Sequence, residues 1–590
     1  MKKKPVLMIL LVSTAFAITS CGDLSDSLTS GLSGLFDNIP KGLSDDLIQE
    51  PTDGYNITYY FNNGTGTSTE VQVKKDTKVM LLTPDEAAVP AGKKFAGWVR
   101  DKEHPTVFYF GEQDLGRYAQ KKQNEVWEIK LYAHWINKDT FVLIYKRNAA
   151  TSGELPVSQT KELGKDLKIA MNSGCLTREG YGFFGWNTKA DGSGTHYDAG
   201  IAYAKDEDMI LYAEWLKGTA ISRIEDFQKM RDDLTGTFIL QRDLELPKNF
   251  QPIGRSDQSF RGTFIGEGHT LSNLRIVDTS AKMLGFFVRL KEAKIYDLTF
   301  KNPYVEGMGS DIGTSIPNPA PAGLGVLAGY VSGGGTIIRG ITIEGVDSEV
   351  RVVKRFAGLL IGRIEGNTGV YAVVENCSVS GKLDGEYDIG GLLGYARNTD
   401  IKKSEAEVRV KGTMHLGGLV GIQVDSSITK SCATGVVAGT SSYIGGIVGW
   451  QLNSTINQSY STSDVSGIGS LGGLVGLQAS CDISNSYAVG KASNTGAATQ
   501  KIGGLLGSRK GGVITNSYFD SRSTGQSKGM GVVSGGTGMP IDYAASDLTG
   551  SDKFLGWDFT GMNGKPAIWH WVGTGKWPIL QWQYEMQQAP

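Results

Sequence analysis

Between residues 389 and 507 the apolar positions fall into one phrase that is written five times. Ile389-Gly-Gly-Leu-Leu-Gly394 returns as Leu416-Gly-Gly-Leu-Val-Gly421, Ile444-Gly-Gly-Ile-Val-Gly449, Leu471-Gly-Gly-Leu-Val-Gly476 and Ile502-Gly-Gly-Leu-Leu-Gly507. The first glycines, at 390, 417, 445, 472 and 503, are 27, 28, 27 and 31 residues apart. A steady period of this size marks a stacked repeat architecture. Within a period, short β-branched runs are broken by Gly, Asn and Ser, and no window carries helical spacing. One period cannot bury a face alone, whereas stacked periods share a continuous core. The pattern predicts an all-β chain whose main body is a right-handed parallel β-helix, with the repeated glycines at corners that a Cβ would forbid.

Upstream, the pattern changes to aromatic alternation, also in duplicate. Tyr59-Tyr-Phe-Asn-Asn-Gly64, Phe95-Ala-Gly-Trp98 and Leu131-Tyr-Ala-His-Trp135 are echoed by Phe141-Val-Leu-Ile-Tyr145, Phe183-Phe-Gly-Trp186 and Leu211-Tyr-Ala-Glu-Trp215. Each copy predicts a small β domain with a Trp/Tyr core. Ile224, Phe227, Met230 and Leu234 fall at helical spacing behind Ser222, which precedes Glu225 by three. That predicts one helix, Ile221–Leu234, with a capping box, covering the open first coil. Degenerate glycine phrases at Leu284, Leu324 and Ala357 extend the coils upstream, with insertions at Gly307–Pro321 and Gly366–Tyr371. Trp557, Trp569, Trp571, Trp577 and Trp582 crowd the tail, which is expected to fold over the last coil as a cap; a carbohydrate-binding cluster is the alternative.

The paired Phe-x-Gly-Trp and Leu-Tyr-Ala-x-Trp phrases resemble the Listeria–Bacteroides repeat, the internalin-type B-repeat. The resemblance implies β-grasp-like modules serving a bacterial surface protein as a stalk or binding unit. The first copy departs from it in the charged stretch Asp101–Lys122, where the glycine-rich turn is missing. Across about Ile221–Met539 the glycine phrases and their lead-in, Phe238 to Leu271, resemble the GLUG motif. That resemblance implies a secreted or surface architecture with an adhesive role and says little about chemistry.

Composition narrows the class. Hydrophobic residues make up 40% of the 590 and glycine contributes 80, so the chain is folded despite its glycine. The net charge of −2 comes with no basic patch, which argues against a nucleic-acid partner. Met1-Lys-Lys-Lys and the apolar Val6–Ile18 read as a secretory signal, too short to span a bilayer. Ile18-Thr-Ser-Cys21 resembles a bacterial lipobox, which implies lipidation at Cys21 and a membrane anchor. Gly22 after the cysteine points to the outer membrane or cell surface. The expected order is signal 1–20, tether 21–54, repeat modules 55–136 and 139–216, solenoid lead-in 219–275, β-helix 276–540 and cap 541–590. Leucines from Leu24 to Leu47 give the tether a near-helical stripe, interrupted by Gly31, Gly34, Pro40 and Gly42.

Chemistry is thinly marked. Between the glycine phrases runs a second one, whose central column reads Cys377, Glu405, Cys432, Tyr460, Tyr487, Tyr518 and whose preceding column is serine. Strand alternation puts the serines inside and Tyr460, Tyr487 and Tyr518 outside, stacked at about 4.8 Å per coil. Protection of the strand backbone is one use for such a ladder, and a ligand-stacking strip for sugars or peptides is the other. Cys377 and Cys432, two coils apart in this alignment, lie beyond disulfide reach and are expected as free thiols. A polysaccharide lyase or hydrolase would need acids on neighbouring coils. Asp384, Glu386 and Asp388 instead share one connection, and Lys411, Thr413 and His415 match them on the next coil. These acids read as solvated turn residues or a weak calcium site, and His269 as a turn histidine. No catalytic, metal or cofactor residue is assigned. The expected function is non-catalytic binding or adhesion to an extracellular protein or glycan. A glycan-binding accessory protein or a polysaccharide-active enzyme is the alternative.

Overall fold

The structure is a computed structural model. It describes residues 54–64, 66–74, 77–85, 88–102, 112–113, 115, 119–121, 127–310, 321–496, 501–543, 548–561 and 567–587. The signal, Cys21, the tether up to residue 53 and most of the Asp101–Lys122 stretch lie outside the described residues. The chain divides into two units, the second made of Lys217 onward together with Gly180–Gly182.

The first unit holds the two aromatic modules, built alike. Gly54–Tyr60 runs antiparallel to Ser68–Lys74 and parallel to Trp127–Asn137, which is antiparallel to Lys93–Val99. In the second, Thr140–Lys146 is antiparallel to Gln159–Glu162 and parallel to Met209–Lys217, beyond which lies Tyr181–Asn187. First and last strands side by side at the centre of a mixed sheet is the β-grasp-like arrangement expected. Trp98 and Trp186 are fully buried, and their indole N–H groups donate to the carbonyls of Leu82 and Ala170 at 2.6 and 2.8 Å. The closing Trp135 and Trp215 donate to the carbonyls of Phe61 and Asn148 at 2.7 and 2.6 Å. The glycine of each Phe-x-Gly-Trp is required because Gly97 and Gly185 sit at φ 118° and 131°. The modules join through Ala96, Val99, Ile136, Val142 and Ile144 and through Lys94 to Asp208 at 2.8 Å.

The second unit is a parallel β-helix whose strands form sheets of 25, 8 and 9 strands. The glycine phrases stack in register, Gly390 beside Gly417, Gly445, Gly472 and Gly503 in turn. Inside, Ile338, Val374, Ile401, Ile428, Ile456, Ile483 and Ile514 form one aliphatic ladder, none more than 3% exposed. Burial of each such side chain contributes about 1.5–3 kcal/mol.

The glycines serve a purpose other than the one expected. None of the paired glycines has a positive φ; they are needed because successive coils touch there. A Cβ on Gly418 would stand 2.1 Å from the carbonyl oxygen of Gly446, and one on Gly446 the same distance from that of Gly473.

Serine does hold the interior corner. The backbone N–H of Ser404, Ser431 and Ser459 donates to the hydroxyl of the serine one coil on, at 3.2 Å each. Those hydroxyls donate in turn to carbonyls two residues back, as from Ser459 to Asn457 at 2.9 Å. Cys377 belongs to this column, since its N–H donates to Ser404 and Ser378 pairs with Glu405. Its place opposite Glu405 in the sequence alignment was one residue off. The step from Cys377 to Ser404 keeps the 27-residue period, which matching it to Cys432 by chemistry broke. Cys377, Cys432 and Cys481 are free thiols.

At the N-terminal end, the strand Thr219–Ile221 pairs with Thr237–Leu240, and a 3-10 turn, Ile224–Asp226, leads into the helix Phe227–Asp232. The helix is shorter than predicted because Ile221 is drawn into the sheet. Its start is held by the Asp226 carboxylate, which accepts from the N–H groups of Ser222 and Arg223 at 3.0 Å each, and not by the Ser222 hydroxyl. Phe227 and Met230 are fully buried against the first coils. Ser521–Thr524 and Gln581–Gln587 are also helical, so the cap helix is not alone.

Candidate functional site

Two outer flanks of the solenoid carry chemistry. On the first, Glu405, Cys432, Tyr460, Tyr487 and Tyr518 stand in register, as expected. The strip is not open, however. Tyr460, Tyr487 and Tyr518 are no more than 5% exposed, beneath Leu548, Phe554, Trp557, Trp569 and Leu580 of the tail. The tail therefore lies along the flank, not over the end of the last coil. Tyr460 donates to the Gln583 side chain and Tyr487 to the carbonyl of Pro578, both at 2.8 Å, while the Tyr518 hydroxyl accepts from the N–H of Leu555 at 3.0 Å. Farther back, the indole of Trp582 donates to the carbonyl of Lys430 at 2.9 Å. Burial pushes the Tyr460 and Tyr487 hydroxyls well above the usual phenol range. In this arrangement neither the tyrosines nor Trp557 and Trp569 offer a face to a ligand; each set is the other's apolar partner.

The second flank starts from a left-handed corner. Two other corners of the coil are left-handed too, at Asn376, Lys403 and Lys430 and at Asn398, Asp425 and Asn453, but this one carries bulky rings. Phe356, Asp388, His415 and Tyr443 occupy one register position on successive coils, just before the glycine phrase. All four are left-handed, at φ 68°, 58°, 57° and 65°. Such a conformation is rare for bulky residues, and clusters of it occur at functional sites. Here it turns four side chains outward beside a second column, Tyr330, Arg363, Tyr395, Ile422, Trp450 and Leu477.

Charge and rings interleave along this flank. Asp388 is fully buried and accepts from Arg355 Nε on one oxygen. Its other oxygen is 2.6 Å from His415 Nδ1. The Arg363 guanidinium lies 5.3 Å from the ring of Tyr330 and 5.2 Å from that of Tyr395, and reaches Glu365 at 2.6 Å. Burial, then the nearby Glu365 charge, pushes the Tyr330 hydroxyl up to about 12. Exposure peaks at the middle coils, and Leu477 beyond them is buried again. Tyr395 is fully buried, whereas His415, Tyr443 and Trp450 are half-buried. The His415 ring lies 5.4 Å from both Tyr443 and Trp450, and is 3° from parallel with Tyr443. Trp450 Nε1 has no hydrogen-bond acceptor. The described ends of the Gly307–Pro321 insertion reach the same flank, Ser310 bridging to Arg355 and Ala322 packing with Phe356 and Tyr395.

Sequence reasoning paired the right positions here but misjudged their setting. Asp384 does lie beside Lys411 and Asp388 beside His415. Asp388 is nevertheless neither a solvated turn acid nor a calcium ligand, because Arg355 and His415 occupy its oxygens. The missed signal was the run Phe356, Asp388, His415 and Tyr443, each directly ahead of a glycine phrase on successive coils. His269 closes a turn, 3.1 Å from Asp243. Among the described residues no group of three or more His, Cys, Asp or Glu is placed to hold a metal ion, and no helix is long and apolar enough to cross a membrane.

Comparison with known proteins adds the following. A "Putative membrane protein" of Evansella cellulosilytica is 28% identical over 167 residues, 28% of this chain and 23% of that protein. A "Putative Gly-rich membrane protein" of the same organism is 36% identical over 87 residues, 14% of this chain and 10% of that one. The chain thus spans less than a quarter of the length of these relatives. Among solved structures, a "putative immunoglobulin A1 protease" from Bacteroides ovatus is similar at 18% identity and a TM-score of 0.34, over 62% of this chain and 93% of that one. Residues 55–124 and 142–214 match the family described as the Listeria-Bacteroides repeat domain, and the two aromatic modules are two such repeats.

Proposed function

We propose that this chain is a non-catalytic binding protein of the bacterial cell surface, held there by a lipid at Cys21 and resembling GLUG-motif adhesins in its solenoid. The modules act as a stalk, and the β-helix flank bearing His415, Tyr443 and Trp450 meets an extracellular glycan or protein. The observation that carries this reading is the run of left-handed Phe356, Asp388, His415 and Tyr443. Their strain, of order 1–3 kcal/mol each, turns the half-buried His415 and Tyr443 rings to the outer face, with the buried Asp388 beneath holding His415. Aromatic faces beside hydrogen-bonding groups suit sugar rings and flat peptide surfaces alike.

The test is an array of glycans and matrix proteins, screened with the purified chain and with the variants Tyr443→Ala and Trp450→Ala. Binding that falls at least about tenfold in both variants, with an unchanged melting temperature, supports the reading. Unchanged binding discards this flank as the contact surface. Turnover of a polysaccharide would favour the alternative, a β-helix enzyme.

A further inference from the structure

The two ends of the solenoid are finished differently. The N-terminal end is closed by the strand Thr219–Ile221 and by Phe227 and Met230 of the cap helix, both fully buried. Because the tail runs along the tyrosine flank, no such lid is found at the C-terminal end among the described residues. Its last strands, Met530–Ser534 and Ile541–Asp542, pair with the preceding coil at Leu506–Lys510 and Tyr518–Phe519. No pairing is found on their other side among the described residues. Residues 532–539 are all exposed, among them Val532 at 40%, Val533 at 47% and Met539 at 65%.

Natural sheet edges are blunted with lysines, prolines or bulges because an open edge recruits another strand. Here the run Gly529–Ile541 has no charged residue and a single proline, Pro540. Opposite charges bracket it, Lys528 before and Asp542 after.

We propose that this end is a self-association surface, where two copies of the chain meet tail to tail about a two-fold axis. The edge strand at the N-terminal end, Thr219–Ile221, is three residues long and stands beside the cap helix, which opposes head-to-tail stacking, so the partner edge within a second copy is the same one. That makes the contact isologous and self-limiting. A two-fold perpendicular to the solenoid through Gly535, the midpoint of the run, sets each residue opposite its mirror in number. Lys528 of one copy then faces Asp542 of the other, and Met539 faces Gly531. Opposite charges meet, and the large Met539 side chain falls on a glycine. The consequence goes beyond single-chain binding: a paired molecule presents two ligand-facing flanks, which raises avidity without any new ligand contact.

The test is sedimentation of the full chain across a concentration series. The expected result is a reversible dimer that Val533→Lys weakens at least about tenfold, by placing an unpaired charge against Thr537 of the other copy. Val370→Lys, at an exposed valine elsewhere on the solenoid, leaves it intact. Ser534→Cys, next to the proposed axis and diagonal to its copy across it, is joined into a covalent dimer by a short bis-maleimide, whereas wild type and Thr462→Cys are not. These readouts do not depend on finding the ligand. A monomer at every concentration, a dimer indifferent to Val533→Lys, or no cross-link at Ser534→Cys overturns the proposal. Capture of an extended peptide by a chain that stays monomeric also overturns it.

Discussion

Tyr460 and Tyr487 lie face to face, ring centroids 4.9 Å apart and planes 2° from parallel, and Trp569 sits 6.3 Å from the first and 6.0 Å from the second. Stacking at one coil spacing is what a parallel ladder imposes on identical residues. The tryptophan above them makes the ladder a seam between tail and solenoid. Trp569 is 1% exposed, so Trp569→Ala is expected to cost about 3–5 kcal/mol. The loss should be local. Limited proteolysis would cleave within 543–587 first, and the solenoid fragment would survive. A variant with wild-type resistance there would show that the seam does not hold the tail.

The serine ladder makes a sharper demand on chemistry than on volume. The Ser459 hydroxyl accepts from the N–H of Ser431 at 3.2 Å and donates to the carbonyl of Asn457 at 2.9 Å. Ser459→Ala strands the buried N–H of Ser431, while the Asn457 carbonyl keeps the N–H of Lys430 at 3.1 Å, and is expected to lower stability by about 1–3 kcal/mol, read as a shifted denaturation midpoint. Ser459→Cys should cost less, because Cys481 already fills the matching place in the neighbouring ladder. There the N–H of Ser454 donates to Cys481 Sγ at 3.3 Å, and the thiol donates to the carbonyl of Ala479 at 2.9 Å.

His196 of the second module gives a pH dependence. Burial alone would lower its pKa, but hydrogen bonds to Asp198 and Glu214, at 3.0 and 2.9 Å, outweigh it and hold the imidazolium to about 9. The folded value lies above the ordinary 6.5. The stabilisation is therefore complete below about pH 6.5 and is lost as pH rises through 9. Its size is about 1–2 kcal/mol after solvent screening. The melting-temperature gap between wild type and His196→Gln should be widest near pH 6 and close by pH 10. A gap that stays constant across that range would contradict the assignment.

Thiol reactivity should follow burial. Desolvation pushes Cys377 and Cys481 up to about 12, and Cys432 higher still. Native protein is expected to leave all three unlabelled by a thiol reagent at pH 8, and denatured protein without reductant to label all three. Labelling in the native state would mean that the corner or the tail opens readily.

The solenoid was legible because its period is written in a residue that tolerates no substitute. Each Gly-Gly pair is fixed by coils closing to within a Cβ of one another, so Gly418, Gly446 and Gly473 recur whatever lies between. Register follows from that count, and with it the serine and tyrosine columns. The Phe-x-Gly-Trp phrases were legible for a related reason, a backbone angle at Gly97 and Gly185 that a side chain disfavours. The cover over the tyrosines was not, because an aromatic tail has the same composition whether it closes an end or a flank. Three outward tyrosines in line were themselves the hint that an apolar partner was needed. The Asp388–His415 pair was placed in register yet taken for solvated, since Arg355, which neutralises it, stands 33 residues earlier in sequence.

The role proposed for the coil is to display a surface without carrying out a reaction. The most direct measurement takes whichever glycan or matrix protein the chain captures and follows it over time with the full chain at equimolar concentration. The account predicts saturable binding, sensitive to Trp450→Ala, with the ligand recovered unchanged. Cleaved or unsaturated products accumulating at a rate proportional to the chain would contradict it.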